Sequence, residues 1–128
     1  RDNAEGYVLT TALMDWFWDQ YCPVAKRSDP TASPLRATNL GGLPPAMVVT
    51  AQFDPLRDEG DAYAEALTAA DVPVQHLPCP GQIHSSITLV DLLPTSAPIR
   101  QKMAAALKGF FAGIEHPGGM ASETDAVA

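Results

Sequence analysis

Two residues combine a reactive type with a spacing that could do chemistry: Asp54 in AQFDPLRDEG, and His84 in PGQIH, thirty positions later. A carboxylate that accepts a hydrogen bond from an imidazole fixes the ring's tautomer and stabilises the imidazolium formed when the ring takes a proton. The other ring nitrogen can then take that proton from a nucleophile. Asp54 also has a structural reading, because Asp at an N-cap followed by Pro55 at the first helical position starts a helix. The two readings are compatible. Asp58 is a rival acid, better assigned to supporting the helix start through its dipole. A metal site built from Asp54, His76 and His84 is disfavoured, because no compact ligand motif accompanies them.

The elements around these residues decide whether they can meet. Ala46 to Ala51 is almost continuously apolar and contains adjacent valines, the pattern of a strand buried on both faces in a parallel sheet. Asp58 to Ala70 predicts a helix with Ala62, Ala66, Leu67 and Ala70 on one face. Val72 to Leu77 is a second strand candidate, and its Pro73 suits an edge strand or a strand start. Pro80 to Pro94 reads as a loop or short helix carrying His84. In a parallel sheet both post-strand loops leave at the same end, so Asp54 and His84 are expected to face each other there, where open α/β sheets place their sites.

Upstream, Leu9, Leu13, Trp16 and Phe17 recur at helical spacing from Tyr7 to Tyr21, and Cys22-Pro23 stops the helix. Trp16 and Trp18 project about 200° apart on such a helix, so one of them must meet another segment or a ligand. Core packing is preferred over an acyl pocket for Trp16, Phe17 and Trp18. Val24 to Pro45, rich in Pro, Ser, Thr, Asp and Gly taken together, reads as an ordered loop. A last helix opens at Pro98, with Ile99, Met103, Leu107, Phe110, Phe111 and Ile114 as a core stripe. Residues 115–128 are small, polar and acidic and are expected to form a flexible tail.

The 128 residues, 46% of them hydrophobic, fall within the size of one ordinary domain. A formal charge of −7 and a pI near 4.6 exclude the clustered Lys and Arg of a nucleic-acid surface. No apolar run approaches the roughly 20 residues of a membrane span, and no leader pattern opens the chain, so a cytoplasmic location is expected. Cys22 and Cys79 form no ligand cluster and are read as buried free thiols in preference to a disulfide. Alternating strand and helix argue for α/β architecture. Two strands are too few for a stable sheet, and the chain starts with Arg1 instead of Met, so residues 1–114 are expected to be part of a larger domain.

The segments EGYVLTTALMDWFWDQY, SPL at Ser33 to Leu35, LPPAMVVTAQFDPLRDEGDAYAEAL, VPV and PGQIH together resemble the C-terminal portion of the hormone-sensitive-lipase-like, or type IV, bacterial carboxylesterases. The strand-end Asp followed by a loop His also matches the last two members of the α/β-hydrolase order Ser…Asp…His. The resemblance implies a serine carboxylesterase of short- to medium-chain acyl esters, with Asp54 as triad acid, His84 as triad base and no cofactor. It also implies an edge-strand dimer, here through Val72 to Leu77. Gln52 departs from a frequent Gly, and Ser85 from a common Gly after the histidine. No GxSxG elbow occurs: Ser28, Ser33, Ser85, Ser86, Ser96 and Ser122 all lack its flanking glycines. His116-Pro117-Gly118-Gly119 imitates an oxyanion motif but lies after the histidine. The nucleophile and oxyanion hole are therefore expected in a preceding part of the domain. The competing readings are a non-catalytic module that pairs through exposed strand edges, and lactone or amide hydrolysis on the same Asp–His frame.

Overall fold

The computed structural model describes residues 3–112. Its elements are helix α1 (Thr11–Tyr21), strand β1 (Ala46–Phe53), helix α2 (Arg57–Ala69), strand β2 (Val74–Ile83) and helix α3 (Ala97–Ala112), with short 3-10 turns in the loops. The predicted tail, the position of Ile114 and the decoy at His116 lie outside the described residues.

β1 and β2 pair in parallel, with Ala46 opposite Val74 and Ala51 opposite Cys79. β1 runs to Phe53, past its predicted end at Ala51. β2 starts at Val74, after its predicted start at Val72, and continues to Ile83, taking in Pro80 to Ile83 at the head of the predicted loop. The ladder explains how it holds two prolines. Ala46 N donates to Pro73 O at 2.9 Å, which sets the phase: Gln75, Leu77 and Cys79 bond toward β1, and Val74, His76 and Pro78 turn their nitrogens to the free edge. Pro78 and Pro80 therefore sit where no ladder donor is needed.

The core lies between α2 and this pair of strands. Ala64 and Leu67 of α2 are buried with Val72 and Cys79. Gly60 makes the approach possible, because a Cβ there would lie 2.7 Å from Thr50 Cγ2. After α2 the chain reverses at Asp71 (φ 59°), a residue type that tolerates the left-handed region. Burial pushes the Cys79 thiol above its ordinary value, with nearby Lys102 opposing that shift, and both cysteines are free.

Thr10 caps α1, its Oγ1 accepting from Leu13 N at 3.2 Å, and the helix ends at Cys22 as its Pro23 predicts. α1 starts at Thr11, after the predicted Tyr7. Leu9, ahead of it, is buried in the core, whereas neither α1 nor α3 buries a side chain among the described residues. Trp16 is 54% exposed and Phe111 is 69% exposed. α2 packs on the two strands, whereas α3 packs mainly against the turns at Ser86–Thr88 and Pro94–Ser96. Trp18 is the tryptophan that meets another segment, with the Arg27 guanidinium 5.8 Å from its ring centroid.

Candidate active site

Asp54 and His84 come together at the carboxyl ends of the two strands. His84 Nδ1 lies 2.8 Å from Asp54 Oδ2. A carboxylate only accepts, so Nδ1 carries the hydrogen and Nε2 is left for proton exchange. Asp54 is mostly covered, with 11% of its side chain exposed, and the His84 side chain is 33% exposed. The acid is shielded while the base reaches the surface.

The other Asp54 oxygen works on the backbone: Oδ1 accepts from Leu56 N at 2.8 Å. This is an Asx turn over Asp54 to Leu56, directly before α2 begins at Arg57. Asp54 is therefore not the N-cap, and Pro55 is not the first helical residue. The cap position falls to Leu56, whose side chain makes no capping bond. The turn holds the Asp54 carboxylate at a fixed angle, a use that the sequence reading of a helix start had folded into capping.

Register supplies the rest of the geometry. Between Ala51, opposite Cys79, and Phe53, opposite Ile83, a single β1 residue (Gln52) faces Pro80, Gly81 and Gln82. This bulge advances β2 so that His84, the residue after Ile83, comes level with Asp54. Gly81 bends it with φ 73°, a conformation that glycine adopts freely. Ser85 follows His84 with φ 59°, which accounts physically for the sequence contrast at that position.

Sequence reasoning missed Asn3. It is 8% exposed, and its Nδ2 donates to Gln52 O at 3.0 Å and reaches Asp54 O at 3.5 Å. Tyr7 stacks on Phe53 with ring centroids 5.0 Å apart, securing the same segment. Nothing local in the polar start of the chain signals these long-range contacts.

His76 lies away from this site. Its Nε2 is 3.2 Å from Thr50 Oγ1 and 3.0 Å from Asp61 Oδ1, the latter an ion-pair contact without hydrogen-bond alignment. It ties β2 to β1 and α2. Asp58 points outward and pairs with Arg57 at 2.8 Å. An open groove of about 1040 Å³ runs from His84 and Asp54 along α2 to Tyr63, Trp18 and the Ser33–Leu35 turn.

A family model described as the alpha/beta hydrolase fold matches residues 1–88. The chain belongs to the α/β-hydrolase fold family. Among curated members of this family, it is 38% identical over 111 residues to the carboxylic ester hydrolase LipN of Mycobacterium tuberculosis, covering 85% of this chain and 30% of that protein. It is 38% identical to the carboxylesterase NlhH of the same organism, covering 84% of this chain and 35% of that one. An α/β hydrolase enzyme from the metagenome of Lake Arreo, Spain, superposes with a TM-score of 0.81 at 44% identity, over 87% of this chain and 35% of that structure. An esterase of Pyrobaculum calidifontis superposes with a TM-score of 0.75 at 37% identity, over 81% of this chain and 34% of its own. These neighbours bear out the resemblance to hormone-sensitive-lipase-like carboxylesterases. This α/β-hydrolase chain spans about a third of the length of the curated relatives it matches.

Proposed function

We propose that this chain supplies the acid and the base of a serine carboxylesterase acting on short- to medium-chain acyl esters. The observation that carries the reading is the 2.8 Å contact between His84 Nδ1 and Asp54 Oδ2 at the strand ends. The names of the relatives, carboxylic ester hydrolase and carboxylesterase, support the ester class. A serine from outside this sequence attacks the ester carbonyl and passes its proton to His84 Nε2. His84 then protonates the leaving alcohol, and in the second half-reaction it activates water to release the acid. Asp54 holds the imidazole in the required tautomer and stabilises it while charged.

The test is intact-mass measurement after exposure to a fluorophosphonate, on this chain alone and on the chain joined to a GxSxG-bearing partner segment. The expected outcome is no adduct on the chain alone and one adduct on the joined protein, lost in His84→Ala. A His84-dependent adduct on the chain alone would place the nucleophile among its own serines and overturn this division of labour.

The second reading, assembly through strand edges, includes a homodimer along Val72 to Leu77. The ladder phase gives it a limited footing: Val74 and His76 present N–H groups to the free edge of β2, while Pro78 and Pro80 present none. An edge pairing would therefore be confined to the start of the strand.

A further inference from the structure

The catalytic register depends on a bulge, and the bulge breaks a ladder bond that something must replace. Continuing the parallel phase, the Gly81 N–H would donate to the Gln52 carbonyl. That carbonyl is instead turned to Asn3 Nδ2 at 3.0 Å and to Arg57 Nη1 at 3.2 Å. The Gly81 N–H is taken by Gln52's own side chain, with Oε1 at 2.7 Å. One residue thus uses its backbone oxygen to fix the floor beneath Asp54, and its amide oxygen to fix the bulge three positions before His84.

We propose that Gln52 is a positioning residue for the Asp54–His84 pair: its side chain clasps the Gly81 amide and holds the bulge that brings His84 level with Asp54. The inference rests on the reading of Asp54 and His84 as acid and base. Gln52 touches neither reacting group, so it acts through geometry alone. Three observations converge on it. The register shift is centred on Gln52. Gly81 carries the positive φ that forms the bend. The Oε1 contact is as short as a good amide hydrogen bond. Loss of one such bond lets the bulge relax and lowers the fraction of chains with His84 in register, an effect of about three- to tenfold.

The experiment compares Gln52→Leu, which keeps bulk and removes the acceptor, with Gln52→Glu, which keeps an acceptor, in the full chain. Two readouts do not need esterase activity: hydrogen exchange at the Gly81 amide, and the low-field proton resonance of His84 Nδ1. Gln52→Leu is expected to speed Gly81 exchange about three- to tenfold and to broaden or remove the His84 signal, and Gln52→Glu to restore both. In the enzyme joined to its serine-bearing part, the loss should fall on kcat with KM little changed, because His84 acts on the transition state. If Gln52→Leu loses its helical circular dichroism, Gln52→Asn, too short to reach Gly81, gives the same comparison. An unchanged His84 signal and unchanged Gly81 exchange in the acceptor-free variant would overturn the clasp, as would failure of Gln52→Glu to rescue. Asp54→Asn separates the two ideas. Absence of the signal in the unsubstituted chain overturns the Asp54–His84 pairing itself, whereas a signal that needs Asp54 but ignores Gln52 overturns the clasp alone.

Discussion

At Asp54 one carboxylate serves two ends, and its oxygens divide them. Oδ1 closes the turn through Leu56 N, while Oδ2 takes the His84 hydrogen. The turn and the proposed role as acid are therefore compatible, since the carboxylate that closes on Leu56 N is the one His84 contacts. Asp58, four residues on, has neither contact and pairs in the open with Arg57, a surface pair of small value. In an enzyme joined to its serine-bearing part, Asp54→Ala is expected to lower kcat on a p-nitrophenyl ester by about 10³- to 10⁴-fold. Asp58→Ala should stay within about threefold, as expected for an exposed pair. Equal losses would mean that the acid has been misassigned. Asp54 and His84 were legible from type and chain order because both lie just after strands. Asn3 was not, because its partners are fifty positions away and are backbone oxygens, which leave no mark in a side-chain pattern.

Among the elements, α2 controls the site by lying close on β1. Gly60 faces Thr50 so tightly that a methyl group would come within 2.7 Å of Thr50 Cγ2. Thr50 has little room to yield, because Oγ1 is engaged with His76 Nε2 and a β-branched side chain is stiff. Gly60→Ala should therefore destabilise the fold by about 1 kcal/mol, the overpacking cost outweighing alanine's better helix propensity. In a Thr50→Ser background, which removes Cγ2 and keeps the hydroxyl, the same change should be neutral or stabilising by up to about 1 kcal/mol. Urea unfolding of the four proteins gives the cycle. Additivity within about 0.5 kcal/mol would show that the two residues do not press on one another. The predicted second strand ends at Leu77, whereas β2 runs to Ile83. Propensity reads Pro78 and Pro80 as breakers, and only the pairing phase reveals that their missing donors face away from β1.

For the molecule as a whole, the exposed aromatic face of α1 and the only half-buried stripe of α3 belong with a sheet of two strands among the described residues and a span of about a third of the relatives' length. The free edge of β2 is where a second copy could add; before the bulge Val74 and His76 offer donors there, and Pro78 and Pro80 offer none. Val74→Pro removes one of these without costing a bond to β1, so it separates edge pairing from fold stability. If an edge dimer forms, sedimentation velocity should show this variant shifted to monomer with its circular dichroism retained. A dimer that persists would mean that the copies meet elsewhere. No helix among the described residues is long and apolar enough to cross a membrane.

By itself the sequence determined the α/β class, the order of the elements and the expectation that Asp54 and His84 meet at the strand ends. Periodicity, proline punctuation and the residues at strand ends are local quantities, readable along one chain. The tertiary structure decided the register. That one β1 residue faces three on β2, that Gly81 gives its hydrogen to the side chain of Gln52, and that His84 thereby reaches Asp54 at 2.8 Å all depend on how two strands meet. Pairing phase and side-chain reach are relations between residues distant in sequence, so no local pattern encodes them.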